Sequence, residues 1–140
     1  MLIREAVFED AIAIADLLSQ LDYPETEQFI TAKIGQQLSH PDALLLVVEE
    51  NSQILGFISL HFIPQIALEG DFCRVSYLCI SESGRGLGLG TKLLEYAEIE
   101  ARSRGCDRME VHCHSRRTLA HQFYFRQDYE ESPKYLLKML

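Results

Sequence analysis

The chain has 140 residues, 47% of them hydrophobic, and a formal charge of −8 with a pI near 5.0. That length supports one sizeable core and is short for two, so a single globular domain over residues 1–140 is expected. The acidic balance argues against nucleic acid, whose phosphates need clustered cations, and leans toward a cationic or amine substrate.

Residues 2 to 7 read as a first strand. Ile12, Ala15, Leu18 and Leu21 recur at helical spacing and predict a helix of about three turns, ending near Tyr23-Pro24 because proline disfavours helix before it. A second helix is predicted over Glu25 to Leu38, ended by His40-Pro41. Leu44 to Glu49 and Gln53 to Phe62 are apolar runs joined by Glu50-Asn51-Ser52, a hairpin, and Phe72 to Ile80 is a further strand. Gly90 to Arg104 reads as a helix with Leu93, Leu94, Ala97 and Ala101 inward and Gly105 at its end. Asp107 to Cys113 then reads as a strand, Thr118 to Gln127 as a helix, and Lys134 to Leu140 as a closing strand. This order calls for a mixed sheet with helices on both faces.

No apolar run approaches the ~20 residues of a membrane span, and MLIREAVFED lacks the cationic and apolar regions of a signal peptide. A cytoplasmic protein with no membrane partner is the expectation. The four cysteines, at 73, 79, 106 and 113, form no C-x-x-C pair and read as reduced, buried thiols. His112-Cys113-His114 puts two imidazoles on one strand face, half of a metal site, but neither a third ligand nor a ligand spacing accompanies it, and no metal is expected.

Between the Phe72–Ile80 strand and the following helix, glycines stand at 84, 86, 88 and 90. A nucleotide P-loop needs G-x-x-x-x-G-K-[ST], and a dinucleotide fingerprint needs G-x-G-x-x-G; neither spacing fits. Arg85-x-x-Gly88-x-Gly90 does fit an anion cradle. Free backbone N–H groups, a helix N-terminus and one fixed cation together suit a pyrophosphate.

At this point the sequence resembles the GNAT superfamily of acyl-CoA-dependent N-acetyltransferases. Arg85-Gly-Leu-Gly-Leu-Gly90 resembles its pyrophosphate loop, and Leu78-Cys-Ile80 the strand end that pairs with pantetheine. Gly105-Cys-Asp-Arg108 resembles the approach to its fifth strand, and Ala120-His-Gln-Phe-Tyr124 with Asp128-Tyr129 its late helix. Leu21-Asp-Tyr-Pro24, His61-Phe-Ile-Pro64 and the series Arg117 to Tyr124 are most similar to a small-molecule branch that includes aminoalkylphosphonate and aminoglycoside acetyltransferases.

The resemblance implies a mixed, mostly antiparallel sheet of six to seven strands flanked by four helices. It implies acetyl-CoA as cosubstrate, held by Leu78, Cys79, Ile80, Arg85, Gly86, Leu87, Gly88, Leu89, Gly90 and Thr91. It makes Tyr124 the general acid for the departing thiolate. Relatives often carry acidic residues just before the Leu-x-Ile segment, where this chain has Ser76 and Tyr77, so the base stays open among Glu69, Asp71, His112, His114 and no dedicated base. Asp128 stands where the family usually has glycine, and Arg117, His121 and Arg126 are candidates to line the acceptor or CoA end. The implied activity is acetyl transfer to a primary amine of a small molecule by direct attack in a ternary complex. A non-catalytic acyl-CoA-binding module and a protein N-acetyltransferase stand as alternatives, and the exposed last strand suggests a homodimer.

Overall fold

The structure, a computed structural model, describes residues 1–113, 117–132 and 135–140. Its elements run β1 (Leu2–Glu5), α1 (Ala11–Gln20), α2 (Ile30–Ser39), β2 (Ala43–Glu50), β3 (Gln53–Ile63), β4 (Asp71–Ile80), α3 (Leu89–Ser103), β5 (Cys106–Val111) and α4 (Thr118–Arg126). The strands form one sheet in the order β1-β2-β3-β4-β5, antiparallel except for the parallel pair β4–β5.

Both faces of this sheet are covered, which is why β2 and β3 are nearly continuous apolar runs. Leu46, Val48, Ile58 and Leu60 face α3, which contributes Leu93, Leu94, Ala97 and Ala101. Leu45, Val47 and Phe57 face the other way, toward Ile14, Leu17 and Leu18 of α1 and Ile30 and Ile34 of α2. The hairpin between β2 and β3 turns on Asn51 (φ 51) and Ser52 (φ 62). Two consecutive left-handed residues match the right-handed twist of the strands they join.

Three expectations need correcting. The inward face of α1 is Ala11, Ile14, Ala15, Leu17 and Leu18, whereas Ile12 is 79% exposed. A strict three-residue spacing slips by about 60° per step around the helix, so it cannot stay on one face. The second helix does not begin at Glu25: that residue is left-handed (φ 63), a 3-10 turn covers Thr26–Gln28, and α2 starts only after Phe29. The sheet has five strands among the described residues, not six or seven. Residues 135–140 carry no strand, and Leu136 and Leu140 are fully open to solvent. An apolar run becomes a strand only where an edge takes up its hydrogen bonds and a surface covers its side chains. Lys134, the first residue of that expected strand, and His114 lie outside the described residues.

Gly56 sits where β3 meets the end of β4, opposite Ile80. A Cβ there would lie 2.8 Å from the Cys79 carbonyl oxygen and 2.6 Å from Ile80 Cδ1. Gly56→Ala is therefore expected to destabilise the fold by about 1–3 kcal/mol, read as a lower urea midpoint. An unchanged midpoint would show that the two strands can part without loss.

Candidate active site

The site grows from a mismatch in strand length. β5 pairs with β4 only as far as Val75↔Val111, and β4 runs on to Ile80 with β3 as its single neighbour. Ser81 N–H donates to the Leu55 carbonyl at 2.8 Å, so the main chain of Ser81 faces β3. Strand alternation then turns the main-chain groups of Cys79 and Tyr77 toward β3 as well, and those of Leu78 and Ile80 toward the open edge. Leu78 and Ile80 thus offer backbone donors and acceptors to whatever lies between the parted strands. Cys79 does not: its thiol donates to the Leu17 carbonyl at 3.0 Å on the α1 side. Burial pushes that thiol up, and pushes the buried Cys73 thiol up to about 12, so both stay protonated.

A bulge bends β4 just before this stretch. Ser59 pairs with Tyr77 and Leu60 with Val75, which leaves Ser76 as the extra residue. A bulge redirects the side chains around it. Ser76 Oγ lies 2.7 Å from His61 Nδ1 on β3, and Tyr77 packs edge-on against Tyr23, with ring centroids 5.4 Å apart.

Beyond Ile80 the chain makes a 3-10 turn, Glu82–Gly84, capped by Ser81 Oγ accepting from Gly84 N–H. Gly86 (φ 80) and Gly88 (φ 73) then take left-handed backbone. A Cβ on either would meet nothing within 4 Å, so the backbone angle and not crowding favours glycine at both places. Gly88 is the N-cap of α3, and no side chain caps that end. The N–H groups of Leu89, Gly90 and Thr91 therefore precede the helix ladder and face the cleft mouth. Arg85 stands beside them, outside the ion pairs formed among the described residues.

Helix α4 closes the other wall. Phe123 rests on Gly90, whose added Cβ would touch its ring at 3.4 Å, and Gln127 Nε2 donates to Thr91 Oγ1 at 3.1 Å. These two contacts tie α4 to the first turn of α3 and carry Tyr124 in with it. Tyr124 is 8% exposed, in contact with the rings of Phe123 and Tyr129 (centroids 5.1 and 5.5 Å). Burial drives its phenol well above the ordinary range; Cys113 adds to this and Arg117 opposes it. The hydroxyl is consequently a proton donor throughout the physiological range. Past α4, Asp128 takes a left-handed conformation (φ 67) of the kind that favours glycine, and Tyr129 N–H donates back to the Tyr124 carbonyl at 3.0 Å.

Together these parts enclose a cleft of about 400 Å³. Its walls include Ser76, Tyr77, Leu78, Ile80, Arg85, Gly86, Gly88, Leu89, Gly90, Thr91, His112 and Tyr124. Cys79 and Leu87 are not on the walls, and Leu87 points outward at 56% exposure. Glu69 and Asp71 are not there either. Asp71 opens β4 at the end away from the cleft, about 17 Å of strand from Ser76, and its Oδ1 accepts from Gln65 N–H. Exposed Glu69 lies in the loop before it. His112 does reach the cleft, stacked face to face on Tyr135 with centroids 4.4 Å apart. Arg117 and Arg126 line it, whereas His121 faces a second groove behind α4. No carboxylate lines the cleft among the described residues, while three arginines do. The local field is positive in a chain of net charge −8. The Ser76–His61 pair escaped sequence reasoning because a bulge has no fixed signature; the only trace was two uncharged residues, Ser76 and Tyr77, ahead of Leu78.

Fold and cleft define an α/β protein in which an arginine–glycine loop at a helix N-terminus faces a strand with a free main-chain edge. The chain belongs to the acetyltransferase (GNAT) family, whose model matches residues 8–129. Among curated relatives, it is 28% identical over 131 residues to the aminoalkylphosphonate N-acetyltransferase of Salmonella typhimurium, covering 93% of this chain and 85% of the relative. A transcriptional regulator from Bacillus halodurans C-125 has the same fold, with a TM-score of 0.92 at 20% identity over 99% of both chains. So does an aminoglycoside N-acetyltransferase in complex with CoA, with a TM-score of 0.81 at 13% identity over 99% of this chain and 98% of that one. No helix of the described residues is long and apolar enough to cross a membrane.

Proposed function

We propose that this protein transfers the acetyl group of acetyl-CoA to a primary amine of a small molecule, by direct attack in a ternary complex. The observation that carries the reading is the meeting of three parts in one cleft: the free edge of Leu78 and Ile80, the left-handed loop Gly86 to Gly88 with Arg85, and the protonated Tyr124. The cleft fits the cosubstrate. The loop N–H groups and Arg85 suit a pyrophosphate, and the open edge of β4 suits the amide-bearing pantetheine arm, which would pair with it as a short extra strand. The thioester supplies an activated acyl group.

In this reading the main-chain N–H groups on the open edge hold the thioester oxygen and stabilise the charge that develops there on attack. The amine comes in from the side of Tyr23 and Tyr77, and Tyr124 gives its proton to the departing thiolate. The likeness to an aminoalkylphosphonate N-acetyltransferase supports a small amine as acceptor.

Release of CoA thiol across a panel of small primary amines is the test. Thermal protection by acetyl-CoA without thiol release from any amine would favour the non-catalytic binding module, and release with peptide amines alone would favour a protein acetyltransferase. Arg85→Ala is expected to weaken acetyl-CoA binding about tenfold, since a charge-assisted contact contributes about 1.5 kcal/mol or more. Calorimetric titration measures it, and unchanged affinity would remove Arg85 from the site.

A further inference from the structure

An amine that attacks a thioester must lose one proton, yet no carboxylate lines the cleft among the described residues, and Glu69 and Asp71 sit away from it. What the cleft wall does offer is Ser76, the bulged residue of β4, with its hydroxyl 2.7 Å from His61 Nδ1. His61 itself stands behind the wall, partly exposed, on β3 opposite Arg74. We propose, building on the acetyl-transfer reading, that Ser76 and His61 form the proton outlet for the acceptor amine, with Ser76 the catalytic residue and His61 the residue that positions and drains it.

The protons balance as follows. The amine nitrogen bonds to the thioester carbon, giving an adduct with N⁺–H and O⁻. As the N–C bond forms that N–H becomes acidic, and its proton passes to Ser76 Oγ while the Ser76 O–H proton passes to His61 Nδ1. The adduct then expels the thiolate, which takes the Tyr124 phenol proton. His61 sheds its surplus proton to water and, by proton exchange with water, returns to the tautomer that carries hydrogen on Nε2 and leaves Nδ1 free, while Tyr124 is reprotonated from water. One proton leaves the amine and one reaches the thiol, with no oxidant or further reactant. For this direction the resting His61 must be neutral, with its proton on Nε2 and Nδ1 accepting from Ser76.

The surroundings of His61 favour that state. Its charged and titratable neighbours are Arg74 on β4 and His40 at the end of α2. Arg74 is paired to Glu110 of β5 by its Nε at 2.7 Å, and His40 accepts from Asp42 N–H at 3.0 Å through Nδ1. Burial first, then His40 and Arg74, push the His61 imidazole below its ordinary value. His112 is the competing histidine on the wall, but its ring is stacked on Tyr135.

The test joins a spectroscopic and a kinetic measurement on the full chain. In histidine nitrogen NMR spectra, His61 is expected as the Nε2–H tautomer, titrating below about pH 6.5, with Ser76→Ala moving its Nδ1 resonance. A His61 found protonated on Nδ1, or charged at pH 7, overturns the relay without touching acetyl transfer. In thiol-release assays with saturating acetyl-CoA and amine, Ser76→Ala and His61→Gln are each expected to lower kcat on the order of 100-fold and to abolish its acidic limb. The double variant is expected to be no worse than either single one, and acetyl-CoA affinity to stay unchanged. Ser76→Thr, which keeps a hydroxyl, should restore the limb. A limb that persists in both variants, or that vanishes only in His112→Gln, overturns the proposal. Failure of the unaltered protein to release thiol with any amine overturns the acetyl-transfer reading and the relay with it.

Discussion

Tyr124→Phe is expected to lower kcat for amine acetylation on the order of 100-fold or more, with acetyl-CoA affinity unchanged. The substitution deletes one oxygen from a ring that stays packed against Phe123 and Tyr129, so the cleft keeps its shape. What is lost is the proton for the leaving thiolate. The phenol lies well above its ordinary value through burial, which by itself makes it a reluctant donor. The same desolvation raises the basicity of a thiolate expelled into the cleft, so the two partners stay matched. The acid form is active below its pKa and lost above it, hence Tyr124 should impose no descending limb on kcat below about pH 10. A thioester with a more acidic leaving thiol should recover much of the lost rate, because it needs less help to depart. Thiol release and calorimetric titration check both halves, and undiminished turnover would exclude the acid role.

Asp10→Ala is expected to lower folding stability by about 3 kcal/mol, with an unchanged urea slope. Asp10 stands directly before α1 and is only 5% exposed. Its carboxylate accepts from Arg4 Nη1 at 2.8 Å, Arg4 Nη2 at 3.0 Å and Val7 N–H at 2.9 Å, which locks β1 to the start of the helix. Alanine would leave the guanidinium with Glu49 as its remaining carboxylate partner, at 3.1 Å. Burial pushes the Asp10 carboxyl up, but Arg4 and the Val7 N–H outweigh it and hold the group below its ordinary value. A carboxyl depressed in the folded state binds its proton more readily when unfolded. Its contribution is therefore complete above the unfolded pKa of about 3.9 and fades as pH falls through the folded value. Urea midpoints of the native chain should drop below pH 4, and those of Asp10→Ala should drop less. Parallel pH curves for the two chains would mean that this pair does not govern acid stability.

Much of the fold was legible in residue order alone. The hairpin 44–62, the strand ending at Ile80, the helix over 90–104 and its stop at Gly105 all came from period, length and punctuation, and all stand within a residue or two. They were legible because each is set by local chemistry: a two-residue left-handed turn, an apolar strip of fixed period, a glycine that ends a helix with φ 85. The glycine loop was legible for the same reason, since left-handed backbone at 86 and 88 restricts residue choice wherever the chain goes.

Other features depended on partners far along the chain. The last apolar run, 135–140, has strand composition but no strand, because pairing is a property of two segments and not of one. Asp71 and Ser76 belong to one strand, yet only the strand's direction and the point where β5 leaves it separate the one from the cleft and bring the other to it. His61 and Ser76 are fifteen residues apart, and a single inserted residue in β4 aims one at the other. The sequence by itself determined the left-handed glycine loop and the helix that follows it, since those rest on backbone angles and periodicity, whereas Tyr124 was read only through the resemblance of Ala120 to Tyr124 to a known family. Tertiary structure decided which edge of β4 stays open, which histidine meets the cleft wall and where the sheet ends, since those depend on register, and register is fixed only when strands pair.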